Sequence, residues 1–507
     1  MKRVKAMKRI LALALAVVVV LTMNMTVFAD NEGTTPTYAI TITNEETGHT
    51  YEAYQIFKGD LSSAGVLSNI EWGAGVTDAG KLALGNAADK AKSLENASAA
   101  TVREFAEKMN GYLGTPSISV NTATTKNEYK MDGLEAGYYL IKDKDASMDE
   151  QDGSYTSFIL QVTNKNQVVN AKADKPTVVK KVMDINDSTG AVTDWQDSAD
   201  YDIGDDVPFQ LTATLPNNVD KYDTYQIVFH DTLSAGFTYN TDFAVYMDGV
   251  NVTSEFDSDV VSTDAGTALT FSCDDMIALG AKNGSKVVIT YTAELDEDAV
   301  IGAAGNPNKV YLEFSNNPNH EGEGTGKTPE DKVIVFTYKV DINKFDENEK
   351  SLEGAAFQLE KLIKGTEGKE DQWVLVKEYK VAAGQTTFEF KGIDDGTYRL
   401  TETVTPQGYN TIDPIEFIVK AEHKETSDDP MLITLTGNKT NGDVFVIPET
   451  IEGTDTPTGT MSANVINHSG STLPSTGGTG RVLLYTVGAI LVVVAGIVLV
   501  AKKRAAK

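Results

Sequence analysis

The stretch YKVDINKFD, residues 338–346, decides how the chain folds. Apolar and polar residues alternate with a period of two, so Tyr338, Val340, Ile342 and Lys344 share one face while Lys339, Asp341 and Asn343 share the other. That is the pattern of a strand with one buried side, and its buried side carries a lysine. The same pattern occurs without gaps as YAITITNEE at residues 38–46, with Asn44 where Lys344 stands. Three further matches follow in the same order: AYQI at Ala53 with AFQL at Ala356, GLEAGYYLIKD at Gly133 with GIDDGTYRLTE at Gly392, and VVNAK at Val168 with VINHS at Val465. One fold is used twice.

Between and around these segments run FILQVT, VPFQLTATL, KVVITYTAEL, VYLEFS, VIVFTYKVDI, FEFKGI and TYRLTET, separated by Gly, Asn and Asp. Short β-branched and aromatic runs with turn residues between them predict antiparallel sandwiches. The exception is the region from Asp78 to Leu113, where helical spacing predicts one or two helices. Polar, proline- or glycine-bearing stretches mark boundaries at NAKADKPTVV (170–179) and NHEGEGTGKTPEDK (319–332). A third such stretch, PETIEGTDTPTGTM (448–461), reads as a loop inside the last domain, because strand-like SANVINH follows it. The expected fold class is therefore all-β, with three tandem immunoglobulin-like β-sandwich domains over 30–172, 173–331 and 332–470, the first with inserted helices.

The two ends read differently. Lys2, Arg3, Lys5, Lys8 and Arg9 precede an apolar run and a small-residue site, the pattern of a secretory signal peptide over residues 1–29. Val482 to Ala501 carries no charge and is long enough for a transmembrane helix, and the tail 502–507 is basic. These ends contain no acid, so the part between them is more acidic than the formal net charge of −29. Such a surface repels nucleic acid and anionic lipid. Cys273 is the only cysteine, which excludes an intrachain disulfide, and its TFSC context reads as a core strand. The five histidines show neither metal-ligand spacing nor a Ser/His or Cys/His motif, so no metal, cofactor or turnover chemistry is expected. DINDSTG at Asp184 lacks the calcium-loop pattern and reads as a polar hairpin turn.

An inward Lys344 suggests a use. Burial disfavours the ammonium form and promotes a nucleophilic amine. Glu402 on a middle strand would polarise the Asn467 side-chain amide on the last strand and move the proton, and the product would be a Lys–Asn amide and ammonia. At this point the chain resembles Gram-positive sortase-assembled pilin backbones, whose collagen-adhesin B-type domains form such intramolecular isopeptide bonds. YRLTETVTPQGY (398–409) is similar to the E-box of that family, with Glu402 at the catalytic glutamate.

The middle domain resembles the fimbrial isopeptide-forming domain of the family through PTVVKKV, IVFHDTLSAGFTY and GNPNKVYLEFSNNPN. The resemblance implies Lys180 as amine, Asp231 as acid and Asn308 as amide, with Lys181 and Asn306 as rivals. Alternation of Val178, Lys180 and Val182 favours Lys180. In the first domain Asp143 aligns with Glu402 and Asn170 with Asn467, but without an amine at Asn44 no bond is expected there, and this domain should be the least stable.

LPSTG, comprising Leu473, Pro474, Ser475, Thr476 and Gly477, matches the sorting signal of the family. The resemblance implies cleavage by a sortase after Thr476 and transfer to a lysine of the next subunit. By position Lys172 is that lysine, although Asn170–Ala171 replaces the Tyr-Pro of the family motif, and Lys175 is the alternative. Implied partners are sortase, further copies of the chain, accessory pilins, peptidoglycan and a host or surface ligand. The implied location is the cell surface, with a transient membrane anchor. The alternative reading is a wall-anchored adhesin or minor pilin that is never polymerised.

Overall fold

The computed structural model describes residues 36–470 and 486–494, apart from 45–47, 63–65, 122–126, 150, 172–173, 320–323, 367 and 493. The expected signal peptide, Lys172, the Leu473–Gly477 signal, most of the expected 482–501 transmembrane helix and the basic tail lie outside the described residues. Residues 486–492 are helical, and among the described residues no helix is long and apolar enough to cross a membrane.

The first domain pairs a three-stranded sheet with a larger one. In the smaller sheet Tyr38–Thr43 lies between antiparallel Glu128–Leu134 and parallel Gln167–Asn170. The larger sheet is built on Tyr51–Leu61 and Gly137–Asp143. The region expected to hold one or two helices forms three, Asp78–Leu84, Ala87–Leu94 and Ala99–Asn110. Each has its own side-chain cap, from Thr77, Asn86 and Ser98, which restarts the helix instead of letting it run on. Phe105, Met109 and Leu84 pack this layer on Tyr54, Phe57 and Leu140.

The middle domain is a sandwich of a seven-stranded and a five-stranded sheet. Thr177–Val182 is an edge of the smaller sheet, beside Asp206–Thr214, which pairs with Lys286–Leu295. Ile227–Ser234 and Asn306–Ser315 are neighbours in the other sheet. Phe209, Phe229, Phe271, Phe314 and the buried Cys273 fill the space between. The DINDSTG segment is a small hairpin, Ile185–Asn186 against Ala191–Val192.

In the third domain Tyr338–Asp346 runs parallel to the last strand, Pro457–Asn467, and antiparallel to Thr387–Ile393. This repeats the arrangement around Tyr38–Thr43, as the internal match requires. Two expectations change. Asp331–Phe336 pairs with Asn306–Ser315 of the middle domain, so the joint falls at Thr337, beyond the polar stretch that looked like the linker. Most of the 448–461 stretch is a hairpin between Val444–Thr450 and Pro457–Asn467 rather than a free loop.

The middle and third domains are closely joined. Ile203 N donates to Gly392 O at 3.0 Å, Lys364 N to Asp187 O at 2.8 Å and Ala303 N to Thr458 O at 2.9 Å. Gly302 and Gly459 pass so closely that a Cβ on Gly459 would sit 2.2 Å from the Gly302 Cα, so both must be glycine.

Candidate bond-forming sites

Lys180 reaches inward from the edge strand of one middle-domain sheet and meets Asp231, carried on the facing sheet, in a fully buried ion pair. The Lys180 ammonium also donates to Tyr291 Oη at 3.1 Å and stands over the Phe209 ring, 5.2 Å from its centroid. Tyr291 Oη donates to Asp231 Oδ1 at 2.8 Å and accepts from Asn308 Nδ2 at 2.8 Å. Asn308 is fully buried, yet its Oδ1 has no hydrogen-bond partner. Burial lowers the affinity of Lys180 for its proton and raises that of Asp231, so both shifts favour the neutral amine beside the neutral acid.

The two rivals are occupied elsewhere. Lys181 faces the other way and pairs with Asp197. Asn306 uses both ends of its amide on backbone, accepting from Val300 N at 2.8 Å and donating to Val300 O and Val335 O. Lys175 pairs with Asp152 at 2.7 Å in the first domain.

In the third domain Lys344 is fully buried, and its ammonium donates to Phe345 O at 2.9 Å and Val465 O at 3.3 Å. Burial lowers its pKa to about 8 against the opposing charges of Glu402 and Asp346. Asn467 donates to both Glu402 carboxylate oxygens, at 2.9 and 3.1 Å, and to Asn410 O at 3.0 Å. Its Oδ1, like that of Asn308, is buried without a partner. Glu402 is held by Thr405 Oγ1 and Ile412 N, each at 3.2 Å. Each site thus brings together an amine, a carboxyl and a primary amide whose carbonyl is free to receive a proton from the acid. A half-turn of the Asn467 amide would place that oxygen toward Glu402.

The corresponding place in the first domain is built differently. The aligned Asn170 is exposed and its Oδ1 accepts from the Thr43 hydroxyl. Ile42 pairs with Val169 where Ile342 pairs with Ala463, so the sequence match of Asn170 with Asn467 is three residues out of register. Asp143 is buried and meets His49 Nδ1 at 2.9 Å, while His49 Nε2 lies 2.9 Å from Asn44 Nδ2. Asn44 also donates to Tyr51 Oη at 2.8 Å. A hydrogen-bonded chain occupies the place where the other two domains have an amine.

Two features were not singled out from the sequence. Tyr291 alternates inward with Ile289 and Ala293, a pattern that does not distinguish it from an ordinary core residue. Lys361 shares the buried face of Ala356–Ile363 with Phe357 and Leu359, the same alternation that singled out Lys344. Its ammonium binds Asp394, Asp202 at 2.7 Å and Asp187 at 3.3 Å, tying the third domain to the hairpin and turn of the middle one.

Comparison with known proteins adds to this geometry. Residues 338–430 match the prealbumin-like fold domain of the SpaA type, and residues 466–507 match the LPXTG cell wall anchor motif. The chain is 27% identical over 263 residues to the trypsin-resistant surface T6 protein of Streptococcus pyogenes serotype M6, covering 47% of this chain. That match takes in 45% of the T6 protein, so the chain spans about half the length of the curated relative it matches. Among solved structures, the T6 backbone pilin of S. pyogenes serotype M6, a modular three-domain protein, superposes with a TM-score of 0.55 at 19% identity, over 87% of this chain and 100% of that one. The full-length major pilin SpaD of Corynebacterium diphtheriae superposes with a TM-score of 0.50 at 18% identity, over 86% and 98%. These likenesses show the fold, a mostly β chain of prealbumin-like, immunoglobulin-like domains ending in a cell wall anchor motif.

Proposed function

We propose that the chain is the backbone subunit of a covalently polymerised surface pilus, stiffened inside by self-formed Lys–Asn amides. The observation that carries this reading is the paired constellation: Lys180, Asp231 and Asn308 in one domain, and Lys344, Glu402 and Asn467 in the next. In both, an amine on the first strand faces an amide on a late strand, beside a buried acid. No turnover is involved, because each amide forms once and releases one ammonia.

The anchor motif supports cleavage after Thr476 and transfer of its carbonyl to an amine. Lys172, in the segment joining the first two domains, is the proposed acceptor on the neighbouring subunit. Tension between Thr476 and Lys172 would then pass through the middle and third domains and largely spare the first. The two domains under load are the two with an amine in place. Sortase, further copies, accessory pilins and peptidoglycan are the partners this reading requires.

Mass spectrometry of surface polymers tests it. A branched peptide joining Thr476 to Lys172 is expected, and Lys172→Ala should abolish the high-mass ladder. Single wall-linked chains and no ladder in the unmodified strain would favour the adhesin reading instead.

A further inference from the structure

The middle-domain site holds one more group than the reaction assigned to it. Tyr291 Oη touches all three members: it accepts from Lys180 Nζ at 3.1 Å and from Asn308 Nδ2 at 2.8 Å, and donates to Asp231 Oδ1 at 2.8 Å. The nitrogen that would attack and the nitrogen that would leave therefore share one hydroxyl. We propose that Tyr291 is a catalytic residue of amide formation, relaying a proton from Lys180 Nζ to Asn308 Nδ2. This rests on the proposed Lys180–Asn308 bond.

The step balances without an external reagent. Lys180 first passes one proton to Asp231, which leaves a neutral amine beside a carboxylic acid. The amine attacks Asn308 Cγ, and Asp231 stabilises the developing oxyanion at Oδ1 by hydrogen bonding. The tetrahedral intermediate carries an extra proton on Nζ and an NH2 that leaves poorly as an anion. Nζ gives its proton to Tyr291 Oη as Tyr291 gives its own to Nδ2, the Cγ–Nδ2 bond breaks, and ammonia departs. Tyr291 and Asp231 end as they stood after the first transfer.

Position supports this role. Tyr291 is buried, and its ring packs edge-on against Tyr239 and obliquely against Phe209 and Phe271, so the hydroxyl is held in place. In the third domain Lys344 and Asn467 make their described contacts with backbone carbonyls and with Glu402 alone. That site must move its proton through Glu402, and so serves as a control inside the same molecule.

The test is Tyr291→Phe in the full ectodomain, followed by peptide mapping at intervals after purification. General acid–base groups are typically worth at least about 10²-fold. The middle-domain amide should therefore close about 10²-fold more slowly than in the unaltered chain, while the third-domain amide closes at its usual rate. Equal closure rates in the middle domain of both chains would overturn the proposal. Absence of the middle-domain amide from the unaltered chain would overturn the bond itself, which is a separate result. Should the phenylalanine chain lose near-ultraviolet circular dichroism, 3-fluorotyrosine at position 291 keeps both ring and hydroxyl while making the hydroxyl more acidic. A relay predicts an altered closure rate for that chain, and an unaltered rate would again overturn it.

Discussion

Lys344 and Asn467 stand on neighbouring parallel strands, the first and the last of the third domain, with Lys344 opposite Val465 and Asn467 opposite Asp346. A covalent link between them would join the two strands at which, on the proposed function, pulling forces would enter and leave the domain. It would also close a loop of about 120 residues, which on chain entropy contributes about 5 kcal/mol.

The mass of the purified ectodomain should therefore fall short of the sequence mass by two ammonias. Glu402→Ala or Lys344→Met should restore one of them and lower the unfolding temperature of the third domain only. Asn308→Ala should restore the other. A third missing ammonia would contradict the assignment of the first domain.

The buried amine also predicts a pH dependence when no bond can form, as in Asn467→Ala. The folded Lys344 binds its proton with a pKa of about 8, below the usual 10.5. Between those values the unfolded chain holds more protons than the folded one, so stability rises with pH across that window. Urea titrations at pH of about 8 and about 10 should show the higher midpoint at the higher pH. A flat or falling midpoint would mean that Lys344 is solvated in that variant.

At the joint of the middle and third domains, Lys361 is the cation among Asp187, Asp202 and Asp394. Burial and the neighbouring Asp202 hold the Asp394 carboxyl above the usual range, and Asp205 is pushed up to about 7 by burial, Asp202 and Asp187. Replacing Lys361 by Met removes the cation and leaves buried carboxylates facing one another, which typically costs about 3–5 kcal/mol. Calorimetry should show the transitions of these two domains displaced to lower temperature, with that of the first unchanged. Equal transitions in both chains would show that the joint does not depend on this ion cluster.

In the first domain, His49→Phe strips Asp143 and Asn44 of a partner while Thr156 N still donates to Asp143 Oδ2 at 2.7 Å. Leaving buried polar groups unsatisfied costs about 1–3 kcal/mol. The first thermal transition should move down by a corresponding amount, and the ammonia count should stay at two. A gain in stability would mean that apolar packing is worth more there than the His49–Asp143 pair.

Alternation along single strands was enough to turn Lys344 inward and to prefer Lys180 over Lys181, because the side to which a strand residue points depends only on odd and even positions, whereas Glu402 and Asn467 came from the internal repeat and the family resemblance. The anchor motif and the internal repeat were equally local in kind. The choice of Asn308 over Asn306 rested on resemblance, and its surroundings came into view only where two sheets face each other. The same periodicity marks Tyr291 and Lys361 as inward but does not say what each will meet. Their partners, Asp231 and Asn308 for one and Asp202 and Asp394 for the other, come from other strands and turns. Register between distant strands is likewise absent from local pattern, which is why Asn170 was matched three residues out of place. A strand carries its own facing in its sequence, whereas its opposite number is settled by how whole sheets twist and pack.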